Sequence, residues 1–339
     1  MSKDDRRSPR ARGTRAPEPR KTRRGLLFTV APAVLAILIV VAMTAVIRAN
    51  TKHETGQADP VSVNNLGALT TTTTAPSSST TAAPPTSTTP PDNPQLAKNA
   101  VDAVDDLGLS HVELGVGVLD RDTGQVTLGE DGSTPFYSAS VLKLFVITAL
   151  LHDQEAGQLS LSSTDMSEVT AALEQSDDGA MDALWEKFSG PKLIDQITGL
   201  AHLQDTELPS DLSQWGETMI SARDVLSVYQ YVFTSLNATD GKLLLGDLNN
   251  AAASGADGFN QSFGLLAPGL RTPATKAKQG WMEYGTKMML HTTGVVGSSE
   301  QYVVAILSLQ RMSIGWAAGR SNMNSATKAT LAALGSASQ

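Results

Sequence analysis

Residues 136–144 read FYSASVLKL, and this stretch decides how the rest of the chain is interpreted. It holds a serine and a lysine three positions apart, Ser140 and Lys143, and the apolar run that follows predicts a buried helix over 141–152. Residues at i and i+3 share one face of a helix, so the two side chains are expected to lie together. Burial lowers the pKa of a lysine and lets its amine accept the proton of a serine. Free N–H groups at the helix N-terminus would stabilise an oxyanion there.

The same serine–lysine spacing occurs twice more, at Ser189–Lys192 and Ser325–Lys328. Ser189 precedes a Gly-Pro pair, which is typical of a helix N-cap. Ser325 lies in a predicted terminal helix, where a serine and a lysine form a solvated face. Only Ser140 stands between a predicted hairpin and an apolar helix, and that context is expected to bury its lysine.

The segments on either side of this stretch predict an α/β (α+β) fold in which helices flank an antiparallel sheet. Strand patterns occur over 112–119, 125–128, 273–281, 286–296 and 301–310. Helical spacing occurs over 96–107, 179–188, 191–203, 222–235 and 318–335. The last three strands are joined by short links, and short links connect antiparallel neighbours.

An apolar segment without a single charge precedes this domain, at residues 25–47. At 1.5 Å per residue it is long enough to cross a hydrocarbon core of ~30 Å as a transmembrane helix. Residues 1–24 hold ten Lys or Arg and three acids, so the positive-inside rule predicts a cytoplasmic N-terminus and an extracytoplasmic C-terminal part. The alternative is a cleaved signal peptide, against which stand the length of the run and the lack of a small-residue cleavage site.

Residues 48–94 are predicted to be a disordered linker, and most of residues 70–94 are Thr, Ser, Pro or Ala. Such a composition has little apolar surface to bury and favours an extended tether. The predicted organisation is therefore a basic tail at 1–24, a membrane helix at 25–47, a linker at 48–94 and one domain at 95–339.

Charge and composition exclude several classes of function. The net charge is −8 although the N-terminal tail is basic, so the folded part is acidic and is not expected to bind nucleic acid. The absence of cysteine excludes disulfides, thiolate metal sites and cysteine nucleophiles. The five histidines lack metal-ligand spacing, and we expect neither a metal nor a cofactor.

Two further motifs follow Ser140–Lys143 in the order typical of a known family. Ser176-Asp177-Asp178 stands between predicted helices, and Lys278-Gln279-Gly280-Trp281 lies on a predicted strand. With S-x-x-K at the start of the domain, this order resembles the serine β-lactamases (class A-like) and penicillin-binding proteins over about residues 96–338. Three weak motifs in the family's order are stronger evidence for the resemblance than any one motif alone.

The resemblance implies roles for individual residues. Ser140 would be the nucleophile and Lys143 its base or proton shuttle. Ser176 would pass a proton to the leaving nitrogen, and Lys278 would supply positive potential. The backbone N–H groups of Ser140 and Trp281 would form the oxyanion hole. Gly280 adjoins that strand position, and Lys287 stands where relatives often have an arginine for the substrate carboxylate.

The match departs from the family pattern at three places. Asp178 replaces an asparagine, and an ionised Asp only accepts hydrogen bonds, so it would pair with Lys143 or Lys278 and raise the pKa of that lysine. Gln279 replaces a hydroxyl residue, although its amide can still donate to a carboxylate. The glutamate that activates water for deacylation has no counterpart in TELPSDLSQWGET at 206–218, which predicts slow release of an acyl-enzyme.

Three functions remain open at this point. The first is a membrane-anchored serine hydrolase that is acylated at Ser140 by β-lactams or peptidoglycan-type peptides. The second is a catalytically inactive domain of the same fold that binds a cell-wall peptide or a protein partner, as the substitutions at positions 178 and 279 favour. The third is a purely structural tethered domain whose motif matches are accidental.

Overall fold

The computed structural model describes residues 94–335, which form one domain. The predicted basic tail, the predicted membrane helix at 25–47 and nearly all of the predicted linker lie outside the described residues, as does the extreme C-terminus. Within residues 94–335, no helix combines the length and the apolar character that a membrane span needs.

A five-stranded antiparallel sheet forms the centre of the domain, as the strand patterns predict. Its strands are β1 (Val112–Asp120), β2 (Gln125–Leu128), β5 (Lys276–Tyr284), β6 (Lys287–Val296) and β7 (Tyr302–Arg311). The order across the sheet is β2-β1-β7-β6-β5. The first strand therefore pairs with the last, Val112 opposite Gln310, and β5 is left at one edge. A separate two-stranded ladder joins β3 (Phe136–Tyr137) to β4 (Met219–Ile220).

Helices cover both faces of the sheet. In chain order they are α1 (Pro94–Asp105), α2 (Leu142–Glu155), α3 (Ser163–Glu174), α4 (Asp178–Phe188), α5 (Gly190–Leu200), α6 (Ala222–Thr234), α7 (Ala238–Asn249) and α8 (Gly315–Ala333). The N-terminal and C-terminal helices, α1 and α8, pack together on one face, and α6 packs against β1 and β7 on the other.

Burial of both faces explains why the last strand reads VVAILSL, a nearly continuous apolar run. Successive side chains of a strand point to opposite faces, so β7 contributes to two hydrophobic cores. Three of its residues join the core under the larger group of helices, namely Val303, Ala305 and Leu307. Two join the core under α1 and α8, namely Val304 and Ile306.

Helix α2 is buried on all sides, which its sequence LKLFVITALL indicates because it has no polar face. Its first lysine, Lys143, is fully buried within that apolar surrounding. A 3₁₀ turn, Ala139–Val141, runs directly into α2, so the predicted start of the helix at 141 is correct to one residue.

Two helices of the domain, α3 and α7, are absent from the sequence prediction. Helix α3 carries a readable signal, because Ser162 and Asp165 form a capping box at its start. Helix α7 contains Gly241 and Gly246, which lower helix propensity and hide the pattern. Its N-cap is Asn237, whose side chain accepts two backbone N–H groups of the first turn.

Candidate active site

Ser140 lies in a strained turn where β3 passes into α2. The preceding residue, Ala139, has a φ of 46°, in the left-handed region that side-chain-bearing residues seldom adopt. Ser140 itself is 5% exposed and stands at the N-terminal end of the helical segment. Backbone N–H groups at such an end lack intrahelical partners and carry partial positive charge.

Lys143 lies beside Ser140, and its three short contacts match the three hydrogens of an ammonium group. Its Nζ donates to Ser140 Oγ at 2.8 Å, to the Ser176 carbonyl at 2.8 Å and to Asp178 Oδ1 at 2.6 Å. Because an ammonium has donors only, the Ser140 hydroxyl accepts from Lys143 in this arrangement. The geometry is that of a resting ion pair.

Lys278 approaches Ser176 from the sheet. Its Nζ donates to Ser176 Oγ at 2.8 Å and to the Gln279 carbonyl at 3.1 Å. Ser176 has a φ of 54°, a second left-handed residue in the site, and it precedes the N-terminus of α4. The structure thus brings Ser140, Lys143, Ser176 and Lys278 into one buried cluster.

Burial lowers the pKa of both lysines, and the neighbouring charge with the largest effect differs between them: it is the Asp178 carboxylate for Lys143 and the Lys143 ammonium for Lys278. The pKa of Lys143 is lowered by loss of water, and the Asp178 carboxylate opposes that shift. The pKa of Lys278 is held well below its ordinary value by burial, and the positive charge of Lys143 lowers it further. The Asp178 side chain is 67% exposed, so it reaches the buried lysine from the open side of the site.

Gly280 lets the edge strand β5 lie against the turn that carries Ser140. A Cβ at this position would stand 3.0 Å from Val141 Cγ2 and 3.2 Å from the Ser138 carbonyl, which is tighter than ordinary contact. The following residue, Trp281, stacks on Phe259 with the ring centroids 4.8 Å apart. Gly280 therefore brings β5, and Trp281 with it, beside Ser140.

Two residues expected to contact substrate lie away from this cluster. The amide of Gln279 donates to the carbonyls of Gln261 and Phe263 and is buried. It points away from the site because side chains alternate along a strand and Lys278 occupies the inner face. Lys287 begins β6 opposite Tyr284, six positions along the strand from the partner of Lys278, and it pairs with Glu113 at 3.6 Å.

Trp215 and Asp182 contribute to the site although the sequence analysis gave neither of them a role there. The Trp215 indole lies 5.0 Å from Lys143 Nζ, and its N–H donates to Asp182 Oδ1 at 2.7 Å. Asp182 lies one turn after Asp178 on α4, so the i, i+4 spacing of two carboxylates was the available signal.

The site opens into a cleft of about 340 Å³. Its lining residues come from the Ser140 turn, α4, the loop before β4 and strand β5, and they are Ala139, Ser140, Asp178, Asp182, Ser213, Gln214, Trp215, Gly216, Trp281 and Met282. The acidic residues of the 206–218 loop, Glu207, Asp211 and Glu217, are not among them. Within residues 94–335, no group of three or more His, Asp or Glu side chains is arranged to hold a metal ion.

The two other serine–lysine spacings have different surroundings. Ser189 has a φ of 57° and stands between α4 and α5 as their shared cap residue, without a side-chain capping bond. Lys192 is exposed. The Ser325 hydroxyl donates to the Ser321 carbonyl within α8.

Comparison with known proteins identifies similarities over the same domain. A family model described as the beta-lactamase enzyme family matches residues 97–168. Proteins named "Putative lipoprotein LppW" from Mycobacterium tuberculosis and Mycobacterium bovis are 34% identical over 213 residues, which cover 61% of this chain and 67% of theirs.

Solved structures share the fold at low sequence identity. A class A beta-lactamase from Bacteroides cellulosilyticus superposes with a TM-score of 0.59 at 14% identity and covers 70% of this chain and 98% of its own. The TLA-3 extended-spectrum beta-lactamase gives 0.58 at 10% identity, covering 70% and 99%. A PBP-A mutant, solved as an acyl-enzyme complex with penicillin G, gives 0.57 at 14% identity, covering 71% and 96%.

Proposed function

The chain belongs to the serine β-lactamase/penicillin-binding protein superfamily, and we propose that it is a serine hydrolase acylated at Ser140 by β-lactams or peptidoglycan-type peptides. One observation carries the proposal. Lys143 is fully buried with its Nζ 2.8 Å from Ser140 Oγ, and a buried lysine at that distance has a lowered pKa and can serve as the base.

Acylation begins when Lys143 gives the proton of its resting ammonium form to water at the open side of the site. The neutral amine keeps two hydrogens, which it donates to the Ser176 carbonyl and to Asp178. Its lone pair then points towards Ser140 Oγ. The Ser140 oxygen attacks the substrate carbonyl while its proton passes to Lys143. The backbone N–H groups of Ser140 and Trp281 hold the negative oxygen that forms.

Ser176 completes the proton path to the leaving group. When the tetrahedral intermediate collapses, the bond to the leaving nitrogen breaks and the Ser176 hydroxyl donates its proton to that nitrogen. Lys278 holds the Ser176 oxygen at 2.8 Å, and Lys143 lies 3.5 Å from the same oxygen, so Lys143 returns the proton taken from Ser140. The product of this half-reaction is an ester on Ser140.

Deacylation is proposed to be slow. The loop that would carry a water-activating glutamate presents Trp215 to the cleft, and an indole N–H donates but does not accept a proton. An acyl group on Ser140 would therefore receive no water activator from this loop, which predicts slow hydrolysis and the behaviour of a penicillin-binding protein.

The proposed location is the outer face of the cell membrane. Residues 25–47 would be the single-pass anchor with a cytoplasmic N-terminus, and residues 48–94 the tether. The relative named as a lipoprotein supports a membrane-associated envelope protein. A cysteine-linked lipid has no attachment residue in this sequence, so the apolar run is the anchor that it offers.

Intact-mass spectrometry of the full-length chain in detergent tests the proposal. The protein is incubated with benzylpenicillin and, separately, with a chromogenic cephalosporin. We expect a stable added mass that is absent from Ser140→Ala, with little release of coloured product. Rapid product release without an adduct would contradict slow deacylation and would point to the cleft carboxylate Asp182 as a water activator.

A second candidate function is an inactive domain that binds a cell-wall peptide or a protein partner in the same cleft. The resting ion pair of Lys143 and Asp178 favours it, since a protonated lysine is not a base. This alternative predicts no adduct with either compound, together with binding of a cell-wall peptide that Ser140→Ala leaves unchanged.

A further inference from the structure

The cleft beside Ser140 exposes carboxylates to a ligand, whereas its two lysines are buried and do not reach the cleft surface. Asp178 and Asp182 are the charged residues of its lining. Lys143 and Lys278 are at most 1% exposed, and their ammonium groups donate to acceptors inside the domain. A ligand that enters the cleft therefore meets negative charge first.

Asp182 is the carboxylate that remains available. Asp178 is neutralised by Lys143 at 2.6 Å, whereas Asp182 receives one hydrogen bond, from the Trp215 indole at 2.7 Å. Across the part of the chain that the structure describes, no lysine or arginine forms an ion pair with Asp182. An exposed carboxylate fixed by an indole N–H is a ready partner for an ammonium group.

The groups expected to hold a substrate carboxylate are directed elsewhere. The Gln279 amide donates to two backbone carbonyls on the face of β5 opposite Lys278. Lys287 forms an ion pair with Glu113 at the turn end of the β5–β6 hairpin. Lys278 is covered and bound to Ser176. A substrate carboxylate in this cleft would find no exposed cation and would lie near Asp182.

We propose that the cleft selects acyl donors that carry a cationic group, with Asp182 as the specificity-determining residue. This inference rests on the proposed acylation of Ser140 and names the substrate class of that reaction, an amine-bearing peptide or ester.

Three penicillins with the same β-lactam ring test the inference: benzylpenicillin is anionic, its methyl ester is neutral and its 2-(diethylamino)ethyl ester is cationic. The initial rate of adduct formation on Ser140 is followed by intact mass with the full-length chain at low salt, and Ser140→Ala supplies the background. We expect the cationic ester to react about fivefold faster than benzylpenicillin, since an exposed charge pair contributes at most about 1 kcal/mol. The ratio should shrink at high salt.

Asp182→Asn should bring the three rates together, and Asp195→Asn is its matched control. Asp195 is exposed on α5 and is not part of the cleft lining, so the preference should survive its loss. A benzylpenicillin rate equal to or above that of the cationic ester would overturn the inference and leave acylation standing. A preference that persists in Asp182→Asn would overturn the role of Asp182. Absence of any adduct would remove the proposed function and this inference with it.

Discussion

Lys143 and Lys278 are two buried lysines on either side of one serine, and they differ in one neighbour. Lys278 lies 2.8 Å and Lys143 3.5 Å from Ser176 Oγ. Lys143 also donates to the Asp178 carboxylate at 2.6 Å, whereas Lys278 donates to a hydroxyl and to a backbone carbonyl. Burial lowers the pKa of both, and a carboxylate in direct contact opposes it at Lys143 alone.

This difference favours the protonated form of Lys143 over that of Lys278. The positive charge of Lys143 lowers the pKa of Lys278 beyond the effect of burial, and the Asp178 carboxylate, which raises the pKa of both lysines, is in direct contact with Lys143. In the proposed mechanism, Asp178, which stands where the family motif has an asparagine, would therefore control whether Lys143 is neutral and able to accept a proton. Asp178 is exposed, so a bound substrate can change its surroundings.

The largest expected effect comes from removing each lysine in turn. Lys143→Met removes the proposed base and should slow acylation of Ser140 by about a thousandfold or more, in the range of general base catalysis. Lys278→Met removes a positioning contact to Ser176, and we expect a loss of roughly tenfold to a hundredfold. Adduct formation measured by intact mass checks both. Lys192→Met is the control, because Lys192 has the same spacing from a serine but is exposed, and it should have no effect. Equal losses of acylation rate in Lys143→Met and Lys278→Met would contradict the different roles proposed for the two lysines.

His291 is a third buried basic residue, and unlike Lys143 it has no carboxylate of residues 94–335 in direct contact. Its Nδ1 accepts the Ser308 N–H and its Nε2 contacts the Tyr137 carbonyl, and burial lowers the pKa of His291 to about 4. The unfolded chain takes up this proton below about pH 6.5 and the folded chain only near pH 4, so folding stability falls as the pH falls across that window. We expect a loss of about 3 kcal/mol, measured by urea unfolding.

His291→Gln is the matching variant, since an amide can both donate and accept at that place. Its stability should change much less between pH 6.5 and pH 4. A wild-type profile as flat as that of the variant would show that His291 does not keep its neutral form in the folded protein.

A smaller effect is expected at Gly280, which sets the distance between β5 and the Ser140 turn. Gly280→Ala adds a Cβ 3.0 Å from Val141 Cγ2 and 3.2 Å from the Ser138 carbonyl, so the strand or the Ser140 turn must give way by a few tenths of an ångström. Acylation should slow by roughly tenfold, because oxyanion stabilisation depends on donor distance. Gly199→Ala, in α5 with no atom within 4 Å of the new Cβ, is the control. Unchanged acylation in Gly280→Ala would show that this close approach is not required.

The sequence predicted the parts of the fold that depend on local periodicity. The antiparallel sheet flanked by helices is confirmed, because strands such as β7 carry continuous apolar runs and α2 has no polar face. Helix α7 escaped prediction because two glycines weaken its pattern, and the pairing of β1 with β7 is a long-range contact that no local pattern encodes.

The residues of the candidate site also fall into two groups, those that the sequence predicted and those that depend on the folded structure. Ser140 and Lys143 are neighbours on one helical segment, and motif order placed Ser176 and Lys278 near them. The direction of Gln279 and the position of Lys287 depend on strand register and on the length of the β5–β6 hairpin, which only the folded structure fixes. Asp182 was visible as spacing on a helix, but its contact with Trp215 joins residues far apart in the chain.

The pH dependence of Ser140 acylation in the wild type and in Asp178→Asn tests the central claim most directly. The Asp178 carboxylate raises the pKa of Lys143 against the effect of burial, and acylation requires the neutral amine, so the rate rises as the pH rises through that pKa. Removing the carboxylate should move the rising limb to lower pH and increase the rate near neutral pH. A limb that stays in place or moves to higher pH would contradict the account, because Asp178 would then not control the proton on Lys143.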